Sequence, residues 1–257
     1  MFSRAAVAGP DRAEGHLFLH AGERKMTPAL EVTRFERVAM TLHGLTAGEK
    51  TFLPQRVFCI GKNYAEHIRE LQDAAPREPV VFMKPPSCLV APGAPVVRPR
   101  HGQELHHEVE VVVLIGQTVG NAASRSPLDC IAGVTLGLDL TLRDVQRRLK
   151  DQGLPWEAAK AFEHSAPLGV LRPPAPDLEL TDITFQCRVN GDVKQTGHTG
   201  DMLTPIAGLI EFLNGIWNLG PGDLIFTGTP QGVGPIPRGA RVRLESPQLG
   251  AWEWSFP

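Results

Sequence analysis

Glu108 and Glu110 stand two residues apart at the head of an apolar run, 109–115, built from Val, Leu and Ile. Such a run predicts a strand, and on a strand alternate residues share a face. Both carboxylates then face one way, and Val109, Val111, Val113 and Ile115 face the other. Two like charges side by side repel, and burying either without a partner costs several kcal/mol. A cation is the simplest partner. A Glu-x-Glu pair is more often the solvated face of a half-buried sheet than a metal site. Asp139 shifts that balance, because it interrupts the next apolar run, 134–140, although Asp is depleted in strands. Three oxygen donors without a Cys suit a hard ion that keeps waters, so Mg²⁺, Mn²⁺ or Ca²⁺ is expected over structural Zn²⁺.

Other residues flank that trio. His67 and Glu70 are three apart in a short helical pattern over 64–71, which puts them on one face. An imidazole oriented by a carboxylate is what a general base needs to take a proton from water or carbon. The plainer reading is a surface pair worth about a few tenths of a kcal/mol. Lys160 lies in Ala-Ala-Lys-Ala-Phe, where a lysine can simply snorkel from a core edge. Arg143 carries a planar fork that can clamp a carboxylate through two parallel hydrogen bonds, with a helix-surface salt bridge as an equal alternative. Thr227-Gly228-Thr229-Pro230, followed by Gly232 and Gly234, lacks the Gly-Lys-Ser/Thr ending of a phosphate loop, which argues against nucleotide binding.

Strands must position most of these groups. Apolar segments predict them at 57–60, 80–83, 109–115, 134–140, 185–189, 224–227, 242–244 and 252–256. Asn190-Gly191 between two alternating segments is a type I′ hairpin signal. Helical spacing is convincing at 142–149, through Leu142, Val145 and Leu149, at 202–217, through Ile206, Leu209, Ile210 and Leu213, and at 64–71. Proline-bearing segments at 91–99, 166–176 and 230–237 read as loops. The fold class is mainly β with a few helices (α+β). Residues 1–54 form a β-rich lead-in and 55–257 the main domain. A chain of 257 residues can bury a large core, and its 42% apolar and 21% charged content is that of a soluble globular protein. A net charge of −2 offers no electrostatic case for nucleic acid or an anionic membrane. Cys59, Cys88, Cys130 and Cys187 are far apart, as in a reduced cytoplasmic protein. No run reaches the ~18 apolar residues of a membrane helix, and the first residues lack the apolar stretch of a signal peptide.

Four segments together resemble the fumarylacetoacetate hydrolase superfamily. They are Gly61-Lys62-Asn63-Tyr64-Ala65-Glu66-His67-Ile68-Arg69-Glu70, His106-His107-Glu108-Val109-Glu110, the stretch 138–162 with Asp139, Arg143, Gln146 and Lys160, and Pro221-Gly222-Asp223 through Gly234. The likeness spans roughly residues 55–257 and is greatest to the acylpyruvase and oxaloacetate-handling branch and to the 2-hydroxyhepta-2,4-diene-1,7-dioate isomerase relatives. It implies folded-over β-sheets of a β-roll or mixed barrel, a homodimer, and Mg²⁺ or Mn²⁺ held by Glu108, Glu110 and Asp139. It makes His67 and Glu70 the catalytic dyad on a mobile lid. It assigns Lys160 to neutralising an enolate oxygen, and Arg143 and Gln146 to lining the pocket. The Gly228 turn and the Thr229 hydroxyl would meet the substrate carboxylate. One of His106 and His107 would support a metal ligand, and Lys84 matches a common lysine of open role. The implied substrate is a short β-keto or 2,4-diketo acid reacting through an enolate. Acylpyruvate hydrolysis, oxaloacetate decarboxylation and isomerisation or tautomerisation all share that half-reaction. Two rivals are a Ca²⁺-stabilised, non-catalytic β domain and a sugar- or lipid-binding β-roll.

Overall fold

The strand Val109–Ile115 forms with its predicted bounds, but it is buried on both faces rather than half-solvated. Val109, Val111, Val113 and Ile115 enter the larger apolar cluster with Phe58, Leu136 and Leu209. Val112 and Leu114 enter a second one with Val57, Cys59 and Phe226. The face that carries Glu110 is therefore apolar along its remaining length. A computed structural model describes residues 44–72, 74–120 and 126–257, all within the unit Met40–Pro257.

This strand is one of five in a mixed sheet ordered Val80–Lys84, Val57–Gly61, Leu224–Phe226, Val109–Ile115, Ile131–Leu138. Val57–Gly61 and Leu224–Phe226 run parallel, and the other neighbours are antiparallel. Continuous apolar runs suit strands covered on both faces. The last strand begins at Ile131 and stops at Leu138, so Asp139 lies just past its end rather than inside it. A four-stranded antiparallel sheet follows the order Asp192–His198, Thr184–Val189, Ala240–Ser246, Gly250–Phe256. There the alternation is regular: Val242 and Leu244 are buried, Arg241 and Arg243 exposed. Asn190 and Gly191 make its hairpin with φ of 52° and 92°, as a type I′ turn demands. A third, small sheet joins Gly234–Pro235, Leu105–His107 and Thr141–Leu142, and so brings the glycine-rich turn against the residues just before Glu108.

The helix Arg143–Asp151 buries Val145 and Leu149, as their spacing predicts. The helix Ile206–Trp217 begins later than the predicted 202. Pro205 caps it with extended ψ, and the residue before a proline is disfavoured in helical geometry. Met202 bridges Tyr64 instead. Glu157–Lys160 forms a single helical turn that spacing did not reveal. Most of the expected lead-in, residues 1–43, lies outside the described residues. Its remainder makes a hairpin of Leu45–Ala47 and Lys50–Phe52. The fold is α+β and mainly strand, and among the described residues its sheets do not close into a barrel. All four cysteines are buried and free. Among the described residues, no helix is long and apolar enough to cross a membrane.

Candidate active site

The three predicted carboxylates meet. Glu108, Glu110 and Asp139 are all buried, and each offers an oxygen within 4.8 Å of the other two. Val109 pairs with Leu138, and Asp139 N–H donates to the Glu108 carbonyl at 2.9 Å, so strand register itself brings the trio together.

Cations answer this charge unevenly. Lys160 Nζ donates to Glu108 Oε2 at 2.8 Å and to Asp139 Oδ2 at 2.6 Å. Arg143 Nη2 donates to Glu108 Oε1. Burial favours the neutral form of Glu108, but Lys160 and Arg143 outweigh it and hold the carboxyl below its ordinary range. Burial likewise opposes the charge on Lys160, and Asp139 and Glu108 reverse that, leaving its pKa raised. Among the described residues Glu110 makes no ion pair, and Lys160 favours its charge only as the weakest of the influences on it. It accepts one hydrogen bond, from Gly228 N–H at 2.8 Å. Burial, then repulsion from Asp139 and Glu108, pushes it well above the usual carboxylate range. Asp139 Oδ1 is buried without a hydrogen bond, although Lys84 Nζ is 2.9 Å away, off the bonding direction. An all-oxygen trio with one under-compensated carboxylate and one oxygen that receives no hydrogen bond fits a hard divalent cation.

The dyad also forms. His67 is buried, and its Nδ1 lies 3.1 Å from Oε2 of the exposed Glu70. A carboxylate only accepts, so a neutral His67 carries its hydrogen on Nδ1 and keeps a lone pair on Nε2. The other Glu70 oxygen accepts from Gly232 N–H at 3.0 Å. Gly228 and Gly232 therefore each hold one acidic side chain. Both positions demand glycine: φ is 102° and 93°, and a Cβ would lie 2.7 Å from Asn63 Cβ and 2.3 Å from the Lys194 carbonyl. Asn63 anchors the same turn by donating to the Thr227 carbonyl at 2.8 Å.

One cleft is lined by His67, Glu108, Glu110, Arg143, Gln146, Lys160 and Thr229, with Ile60, Phe82 and Trp156 as apolar wall. Several expectations change in detail. Gly228 was expected to present its N–H to a substrate carboxylate, but that single hydrogen goes to Glu110. Arg143 is neither a surface residue nor an open clamp, since its two η nitrogens hold Glu108 and, at 2.6 Å, Gln146 Oε1. Its Nε is buried without a partner. Lys160 is 3% exposed and does not snorkel. Lys84, left without a role in the sequence, donates to the Leu140 carbonyl at 3.2 Å and to the Lys160 carbonyl, and so ties Asp139 to the helix that carries Lys160. Gln195 was missed. Its buried amide contacts His107 and Thr229. No sequence signal marks it, because Lys194 and Thr196 beside it are polar too and its burial appears only in the fold.

Known proteins share this arrangement of chain. The family described as fumarylacetoacetate (FAA) hydrolase C-terminal matches residues 56–255. The oxaloacetate tautomerase of Escherichia coli K12 is 44% identical over 193 residues, 74% of this chain and 87% of that protein. The fumarylpyruvate hydrolase of Pseudomonas aeruginosa, in its crystal structure with Mn²⁺ and pyruvate, aligns with a TM-score of 0.77 at 34% identity, over 83% of this chain and 94% of that one. The 2-hydroxyhepta-2,4-diene-1,7-dioate isomerase of Mycobacterium marinum aligns at 0.67 with 32% identity, over 79% and 75%. A match running through the carboxylate trio, the dyad and the glycine-rich turn places this chain in the fumarylacetoacetate hydrolase family.

Proposed function

We propose that this protein is a divalent-metal enzyme acting on short β-keto or 2,4-diketo acids, with keto–enol tautomerisation of an oxaloacetate-like acid as its main reaction. The observation that carries this reading is a carboxylate-held imidazole that lines one cleft with Glu108 and Glu110, two of three converging carboxylates. The similar oxaloacetate tautomerase supports the choice of reaction. Bound at Glu108, Glu110 and Asp139, Mg²⁺ or Mn²⁺ would supply Lewis acidity and a positive anchor for the keto-acid oxygens.

The chain's own groups do the rest. Glu70 fixes the tautomer of His67, whose Nε2 takes a proton from the carbon beside the keto group. The electron pair left on carbon moves to the keto oxygen, and the protonated His67 returns the same proton to that oxygen, which completes the enol and restores the neutral imidazole. Lys160, kept charged by Asp139 and Glu108, lowers the energy of negative charge developing on that oxygen. Thr229 donates to the substrate carboxylate. Phe82 and Trp156 keep water from one side of the cleft. Hydrolysis of a 2,4-diketo acid is the second reading. It uses the same imidazole to take the proton from water, and similarity to the fumarylpyruvate hydrolase favours it.

The test is a panel of oxaloacetate, acetylpyruvate and fumarylpyruvate, followed by ultraviolet absorbance and proton NMR with Mg²⁺, Mn²⁺ or EDTA. Metal-dependent enol–keto exchange of oxaloacetate faster than cleavage of either diketo acid is expected. Cleavage dominating selects hydrolysis, and turnover of none removes the proposal.

A further inference from the structure

Gln195 lies on the strand Asp192–His198 of the four-stranded sheet, yet its side chain is only 1% exposed and serves two other elements. Its Oε1 accepts from Val109 N–H at 3.1 Å and meets His107 Nδ1 at 2.8 Å. Its Nε2 donates to Thr229 Oγ1 at 2.8 Å and to the Pro230 carbonyl at 2.9 Å. Two acceptor sites and two hydrogens are all that a primary amide has, and all four are used.

Two of those partners have no choice of role. A main-chain N–H can only donate and a main-chain carbonyl can only accept, so Val109 and Pro230 fix which end of the amide is oxygen. The other two partners then lose their freedom. His107 Nδ1 must carry hydrogen to meet Oε1. Thr229 Oγ1 must accept from Nε2, so its own hydrogen is left to point elsewhere. Among the described residues the Thr229 hydroxyl makes no further hydrogen bond, and Thr229 lines the cleft that holds Glu108, Glu110 and Lys160.

We infer that Gln195 is a positioning residue: by occupying one lone pair of Thr229 Oγ1 it turns the Thr229 hydrogen into the cleft, toward an anionic oxygen of the substrate. This rests on the keto-acid reading above and names a residue that reading does not require. A threonine hydroxyl without such a neighbour can donate or accept with equal ease. With one of its two lone pairs taken and its hydrogen free for the cleft, it is biased toward a carboxylate over a ligand that brings a hydroxyl or amide hydrogen to the same place. The amide also couples the turn that holds the acidic dyad member to the start of the strand that carries Glu110.

The experiment pairs kinetics with spectroscopy on the full-length, Mg²⁺-loaded enzyme. Steady-state constants for oxaloacetate are measured for wild type, Gln195→Met, Thr229→Val and the double variant. A lost hydrogen bond to a charged group corresponds to roughly 10- to 100-fold. Thr229→Val is expected to raise KM by that factor while kcat changes less, because binding of ground and transition state weakens alike. Gln195→Met is expected to raise KM several-fold in the wild-type background and not at all in the Thr229→Val background. Equal effects of Gln195→Met in both backgrounds overturn the inference and leave Gln195 as a structural tie. Long-range ¹⁵N–¹H spectra of the wild type are read separately, with His107→Gln for assignment. The Nδ1–H tautomer of His107 is expected, and the Nε2–H tautomer overturns the amide orientation even if the Met variant does not fold. A wild type that neither turns over the panel nor binds pyruvate defeats the keto-acid reading instead, so the two failures are told apart.

Discussion

At the scale of single residues, Glu110 is where the site is most exposed to test. It is buried beside Asp139 and Glu108, and the Gly228 N–H and the Lys160 charge offset that only in part. Replacing it with an isosteric neutral amide removes repulsion and desolvation together. Glu110→Gln in EDTA is therefore expected to be more stable than wild type, on the order of 1–3 kcal/mol by urea denaturation. The sign with pH follows. The folded carboxyl holds its proton above the ordinary value of 4.5 while the unfolded one releases it. Metal-free wild type should thus lose stability as pH rises above 4.5 toward the folded value, and the Gln variant should lack that slope. A destabilised variant with the wild-type slope refutes the picture of an under-compensated carboxylate. The dyad gives the complementary case. Glu70→Gln retains a side chain that can accept from Gly232 but no longer fixes His67 by charge. It is expected to lower kcat by on the order of 10²–10⁴ with Mg²⁺ affinity unchanged by titration calorimetry, and unchanged kcat would take the pair out of the mechanism.

At the scale of elements, the turn from Thr227 to Gly234 does more than its lack of regular structure implies. Thr227 N–H and Oγ1 both donate to the Val111 carbonyl, at 3.1 and 2.8 Å, which fastens the turn to the ligand-bearing strand. Its glycines then aim N–H groups at Glu110 and Glu70. Gly232→Ala would force a Cβ against the Lys194 carbonyl at positive φ, so the turn must shift. A kcat loss approaching that of Glu70→Gln, with destabilisation of about 1–3 kcal/mol, is the expected outcome; unaltered kinetics would mean that Gly232 does not hold the dyad. Lys84 ties the end of Val80–Lys84 to Asp139 and to the turn carrying Lys160. Its removal in Lys84→Met leaves buried acceptors unpaired, and the urea midpoint should report a loss of about 3–5 kcal/mol.

At the scale of the whole molecule, a ligand that binds only the folded state stabilises all of it. Mg²⁺ or Mn²⁺ at about 100 times its Kd should add ~2.7 kcal/mol, a rise in Tm of roughly 5–10 °C for a chain of this size. EDTA should reverse that rise, and Glu110→Gln should lack it. A melting curve indifferent to both ions would remove the metal from the proposal. The homodimer implied by the family resemblance is a separate proposal. Light scattering at twice the chain mass supports it, and the mass of one chain refutes it.

The sequence alone determined what depends on local pattern. Strand composition set the bounds of Val109–Ile115, the Asn-Gly pair set the hairpin between Thr184–Val189 and Asp192–His198, and residue type narrowed a candidate metal to hard cations, because each follows from periodicity or donor chemistry near in sequence. The spacing of Glu108, Glu110, His67 and Glu70 was likewise visible. What it did not determine was which groups would share one hydrogen. Gly228 N–H could as well have faced a substrate, but antiparallel pairing of Val109–Ile115 with Leu224–Phe226 delivers it to Glu110. Arg143 reads as a free clamp until the fold sets it against Glu108, and Lys84 reads as any lysine until burial puts it between Asp139 and the Lys160 carbonyl. Gln195, from another sheet, is 86 residues from Val109 along the chain. Only tertiary structure brings such distant donors and acceptors within 3 Å or so, and a buried polar group, having no water to fall back on, takes its role from whichever partner the fold supplies.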